Sequence, residues 1–118
     1  MLENTLIVSN WKMNLNLSSA YKLIKSLDGL KLPKSNKIKH IICPQFLLIP
    51  EISKIIKNKD LQIGSQDCHY KSNGSFTGDT SIQMIKYYNC KYSIIGHSER
   101  RIVHNETNEM VYDKADLI

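Results

Sequence analysis

The chain has 118 residues, 42% of them hydrophobic, and a formal charge of +5: enough for one modest globular domain, with no apolar run near the roughly 18 residues that cross a bilayer. The lysines behind the charge are spread along the whole sequence, which reads as a solvated surface and argues against nucleic-acid binding. No basic stretch and apolar core open the chain as a secretory leader would, and three widely spaced cysteines, Cys43, Cys68 and Cys90, fit a reducing cytoplasm better than a disulfide framework.

Leu6-Ile7-Val8 predicts a first short strand, followed by the polar loop Asn10 to Asn14. Ser18 is the expected cap of a helix whose apolar residues Ala20, Leu23, Ile24 and Leu27 recur at helical spacing, with Gly29 as its stop. Ile38 to Cys43 predicts a second strand. Pro50 suits a helix start, and Ile52, Ile55 and Ile56 supply its buried stripe. Leu61 to Gly64 is a third strand, and residues 66–78 a polar loop with two glycines. Residues 80–88 predict a third helix with Ile82 and Ile85 inward and Asn89 as a left-handed stop. Ser93-Ile94-Ile95 reads as a buried fourth strand, and Glu106 onward as a fourth helix through Met110 and Val111. Strand then helix, four times over, is the pattern of a parallel sheet with covering helices, an α/β fold. No linker or charge block divides residues 1–118, so a single domain is expected.

In parallel α/β folds the chemistry gathers at the carboxyl ends of the strands. Here those ends carry Asn10 and Lys12, then Cys43-Pro44, then Gln66 and Asp67, then His97, Ser98 and Glu99. A lysine offers fixed positive charge to a phosphate or a developing oxyanion. A histidine at a helix start tends to stay neutral, and can donate a hydrogen bond and relay protons. Together they point to a small anionic carbonyl compound. Taken singly, each residue has an ordinary structural explanation: a loop lysine, a strand-end histidine, a plain Glu99–Arg100 ion pair. Fourteen of the sixteen basic residues are lysines, and the only two arginines, Arg100 and Arg101, stand side by side, where a planar bidentate guanidinium is the distinguishing property. Cys68-His69 has no second ligand pair at zinc spacing, so no metal site is expected.

The segments VSNWKMN (8–14), IGSQDCHYKSNGSFTGDTS (63–81) and IIGHSERR (94–101) closely resemble triosephosphate isomerases, and CPQFLLIP (43–50) does so more loosely. The resemblance runs in order over essentially the whole chain. It implies membership of the TIM (β/α)8-barrel family, with only about four βα units present: a half-barrel running from the first strand into the fourth helix. It also implies a cytoplasmic enzyme of glycolysis and gluconeogenesis that interconverts dihydroxyacetone phosphate and glyceraldehyde 3-phosphate without metal or organic cofactor. By motif, Asn10 lines the substrate pocket, and Lys12 holds the phosphate and stabilises the enediolate oxygen. His97 is the electrophile that polarises the carbonyl, with Ser98 and Glu99 as supporting groups and Glu99 able to engage Lys12. Phe76-Thr77-Gly78, the tip of the loop from Asp67 to Asp79, would reach a partner subunit near its Asn14 in a two-fold homodimer.

The resemblance also implies what this stretch does not carry. The family's base is a glutamate after strand six, followed by a closing lid, and its phosphate loops follow strands seven and eight. A whole barrel takes about 250 residues. No general base is therefore expected among residues 1–118, and Glu99, Glu106 and Glu109 occupy no position the family uses for one. Two local departures stand out: His104 and Asn105 replace the family's aromatic and glycine, and Asp67 stands where asparagine is common. Three readings follow: a truncated isomerase inactive alone, one half of a split isomerase completed by a separate C-terminal fragment, or a non-catalytic phosphate-binding remnant. Four βα units would leave the first and fourth strands as open edges and an apolar face uncovered.

Overall fold

The computed structural model describes residues 5–30 and 38–118. Four strands, β1 (Thr5–Asn10), β2 (Ile38–Cys43), β3 (Leu61–Ser65) and β4 (Tyr92–Ser93), lie in the order β1-β2-β3-β4, every pair parallel. They form a curled half-barrel. Among the described residues, five α-helices accompany them, α1 (Leu17–Asp28), α2 (Ile49–Ile55), α3 (Ile82–Tyr87), α4 (Ser98–Val103) and α5 (Asn108–Leu117), with a single 3-10 turn at Phe46–Leu48 leading into α2.

The side-chain alternation of the strands sorts the core. Ile42, Leu61 and Ile63 turn toward the helices and form one buried cluster with Ala20 and Ile24 of α1, Ile49 and Ile52 of α2, and Ile82 and Ile85 of α3. The alternate residues face the concave side. A methyl group added at Gly64 would lie 2.8 Å from Cys43 Sγ and 3.1 Å from Ile41 Cγ2, so the strands crowd closely there. Asn10 pairs with Cys43 in register, which sets it on that same face at its upper rim. Ser9 Oγ and His40 Nε2, 2.7 Å apart, add a side-chain link between β1 and β2.

Several expectations need correction. The cap of α1 is Asn16, not Ser18: Asn16 accepts from the Ser19 amide while Ser19 Oγ accepts from the Asn16 amide, a reciprocal capping box. The fourth strand covers Tyr92–Ser93 rather than Ser93–Ile95, and Ile94 and Ile95 are only half-buried, because no fifth strand lies against them among the described residues. The segment after it is not one helix. α4 follows directly from His97, and α5 starts two residues later than Glu106, behind a Thr107 cap whose Oγ1 accepts the Met110 amide. Asn105 makes the intervening turn at φ 55°, and Asn89 ends α3 at φ 59°, the left-handed conformation that asparagine tolerates. α2 begins at Ile49 with Pro50 in its first turn, and Ile52, Ile55 and Ile56 pack on the core as the pattern predicted.

Among the described residues, β1 and β4 are the two edges of the sheet. Leu6, Ile7 and Val8 are 48%, 47% and 52% exposed, so both faces of β1 lack cover.

Candidate active site

The loop after β1 is held by polar contacts at every step. The Trp11 amide donates to the Cys43 carbonyl at 3.1 Å, continuing the ladder past the strand end. Asn10 Oδ1 accepts the Lys12 amide at 2.9 Å, and Gln66 Nε2 donates both to the Lys12 carbonyl (2.7 Å) and to the Cys43 carbonyl (2.9 Å). Lys12 therefore has both backbone groups bound, and it stands at φ 53°, a conformation unusual for a side-chain-bearing residue that this clamp maintains. Asn14 Nδ2 closes the loop onto the Trp11 carbonyl at 2.9 Å. In the sequence Gln66 is only a polar residue at a strand end, with nothing local to indicate its role. Its function as a bridge becomes visible only when β1, β2 and β3 lie side by side.

The loop after β4 supplies the second half. Gly96 takes φ 64°, and an added Cβ there would lie 2.8 Å from Arg101 Nη2 and 3.0 Å from Val111 Cγ2. That turn delivers His97 to the cap position of α4, where its Nδ1 accepts the Glu99 amide at 3.1 Å. An Nδ1 acting as acceptor leaves the proton on Nε2, so the neutral ring can offer a donor to a ligand. Ser98 is exposed at the start of α4.

The two halves meet through Glu99. Lys12 Nζ donates to Glu99 Oε1 at 2.6 Å, and this hydrogen bond holds the Glu99 carboxyl below the usual carboxylate range. Asn10, Lys12, Gln66, His97 and Glu99 line one open cleft of about 660 Å³ at the carboxyl ends of the strands. Its other carboxylate is Asp67, which receives Arg100 Nη2 at 3.1 Å and Lys114 Nζ at 2.7 Å. Lys114 also pairs with Glu106, and both are almost fully buried. Both acids of the cleft are thus committed to cations.

The loop between β3 and α3 folds on itself. The His69 ring lies 4.1 Å from Phe76 and 4.3 Å from Tyr70, and the His69 amide donates to the Thr80 carbonyl at 2.9 Å. Phe76, Thr77 and Gly78 are not among the residues lining the cleft. Cys68 is buried in the helix-side cluster, and no group of three or more metal-ligating side chains occurs among the described residues. No helix among them is long and apolar enough to cross a membrane.

Against known proteins, the family model described as triosephosphate isomerase matches residues 5–118. The chain belongs to the triosephosphate isomerase family. It is 36% identical over 114 residues to the triosephosphate isomerase of Vibrio sp. (strain ANT-300), covering 96% of this chain and 45% of the relative. The triosephosphate isomerase of Aquifex aeolicus (strain VF5) is 37% identical over 110 residues, covering 92% and 44%. That of Clostridium botulinum (strain Loch Maree / Type A3) is 35% identical over 114 residues, covering 97% and 45%. The chain therefore spans a little under half the length of the triosephosphate isomerases it matches, and its four parallel strands with outer helices are a part of the family's barrel.

Proposed function

We propose that residues 1–118 are a single partial domain carrying the electrophile-bearing half of a triosephosphate isomerase site. The reaction is the interconversion of dihydroxyacetone phosphate and D-glyceraldehyde 3-phosphate through an enediolate. The observation that carries this reading is the convergence of Asn10, Lys12 and His97 in one cleft although they come from β1 and β4, at opposite edges of the sheet. In this reading Lys12 brings positive charge to the phosphate and to the enediolate oxygen. His97, with Nδ1 engaged by the Glu99 amide, directs Nε2–H at the carbonyl and moves the proton between the two oxygens. Asn10 aligns the substrate and fixes Lys12 through its amide. The cytoplasm and a two-fold homodimer, with Phe76, Thr77 and Gly78 reaching the partner, complete the proposal.

Removing the proton from carbon requires a base, and neither acid of this cleft is free for it. Glu99 is tied to Lys12, while Asp67 is tied to Arg100 and Lys114. A second segment, supplied by the remainder of the barrel or by a separate C-terminal fragment, must bring the base. The test is complementation. The purified 118-residue chain is assayed with glyceraldehyde 3-phosphate alone, and after refolding with the C-terminal part of the Clostridium botulinum relative. The expected result is no turnover alone and turnover in the mixture, reduced about 10²–10³-fold by His97→Gln. Turnover by the single chain that disappears in His97→Gln would mean a base within it. A correctly assembled mixture without turnover would overturn the proposal.

A further inference from the structure

α4 carries His97 at its cap and Glu99 in its first turn, yet none of its six residues is buried. Hydrophobic packing therefore does not hold it in place, and its polar links must. The two bonds of Arg101, Nε to the Gly96 carbonyl at 2.8 Å and Nη1 to Asn108 Oδ1 at 2.6 Å, are local and do not tie the helix to the sheet. Among the described residues, two side-chain links reach from α4 to the strand ends. One is Glu99–Lys12, with both side chains about half exposed, and the other is Arg100–Asp67, where the Asp67 side chain is only 13% exposed.

We propose that Asp67 is a positioning residue for His97 and Glu99: its carboxylate, divided between Arg100 of α4 and Lys114 of α5, sets the place of α4 above the end of β3. This rests on the assignment of His97 and Lys12 to the site. Each oxygen of Asp67 has its own cation, Oδ2 with Arg100 and Oδ1 with Lys114. A carboxylate satisfies two donors at once. A neutral amide of the same shape has one accepting oxygen, and its NH₂ group would face the second cation as donor against donor. Gln66, the preceding residue, grips the Lys12 carbonyl. The dipeptide Gln66-Asp67 thus holds the Lys12 loop with one side chain and the His97 helix with the other, so the end of β3 sets the separation of the two groups.

The test reads amide hydrogen exchange in the full 118-residue chain, which does not depend on turnover and so stands or falls separately from the complementation assay. The reporters are the Glu99 amide, which donates to His97 Nδ1, and the Arg101 amide, which donates to the His97 carbonyl. In Asp67→Asn these two should lose protection by about tenfold, between the scales of an exposed and a buried ion pair, while the amides of β2 and β3 keep theirs. Arg100→Gln should produce a local loss at the same two amides, and the double variant should be no worse there than Asp67→Asn alone, because the link to α4 is already broken in that variant. The proposal is overturned if Glu99 and Arg101 are unprotected in the unsubstituted chain. It also fails if Asp67→Asn leaves them unchanged or lowers every amide alike, if the losses add in the double variant, or if both single variants unfold.

Discussion

Lys12 Nζ and Glu99 Oε1, 87 positions apart in sequence, lie 2.6 Å from each other at the mouth of the cleft. This contact ties the β1 loop to α4 from the two edges of the sheet. The Lys12 hydrogen bond keeps the Glu99 carboxyl ionised to lower pH than usual. A carboxylate with a lowered folded-state pKa contributes stability that is present above its unfolded value and lost as pH falls through the folded one. Glu99→Gln should therefore lower the thermal midpoint more at pH 7 than at pH 2, because the contribution of the charge fades as pH falls through the folded-state value. Equal differences at both pH values would show that the charge is irrelevant.

Lys114 is 3% exposed and pairs with Asp67 and Glu106. Burial alone would lower the pKa of this ammonium, but the two carboxylates outweigh it, so the value stands above the usual one. Its contribution is complete below the unfolded value and disappears as pH rises through the folded one. Lys114→Met leaves the Asp67 and Glu106 carboxylates close together without the cation they share, and Asp67 keeps Arg100 as its partner. Urea unfolding at pH 7 should show a loss of about 3–5 kcal/mol, and the variant should lose less further stability between pH 9 and 12 than the unsubstituted chain.

Gly96 needs φ 64° immediately before His97, and Val111 stands where a side chain would project. Gly96→Ala should cost about 1–2 kcal/mol from the left-handed backbone alone, with a further loss from the Val111 contact. Chemical denaturation measures the total. A cost within a few tenths of a kcal/mol would mean that the turn relaxes freely.

Cys43 and Cys90 are buried, which raises each thiol to about 11, with Cys90 adding to the effect on Cys43. At pH 8 roughly a thousandth of each would be thiolate, even before access is considered. Iodoacetamide should label the native chain far more slowly than the urea-unfolded chain. Equal rates would mean that the sheet opens readily.

Leu6, Ile7 and Val8 expose an apolar edge with unpaired backbone groups, the arrangement that promotes strand-to-strand association. The isolated chain should sediment as a concentration-dependent oligomer, and Ile7→Lys should shift it toward monomer. A sharp monomeric unfolding transition of the unsubstituted chain would contradict this.

Local patterns in the sequence were sufficient for the alternation of strands and helices, the inward residues Ile52, Ile82 and Ile85, and the left-handed turn at Asn89, because each depends on neighbours within a few positions. Motif spacing likewise placed Asn10, Lys12 and His97 at strand ends. Local pattern failed at Asn16, where two polar candidates compete for one cap, and at the break between α4 and α5. There Glu106 turns inward to Lys114 instead of opening a helix, a choice made by a buried ion pair and not by propensity. The geometry of the cleft belongs to tertiary structure alone. Gln66 can reach the Lys12 carbonyl, Glu99 the Lys12 ammonium and Asp67 both Arg100 and Lys114 only after parallel pairing has brought the ends of β1, β3 and β4 to one rim. Charges far apart in sequence carry no local periodicity, and their partners are decided by which strands lie side by side.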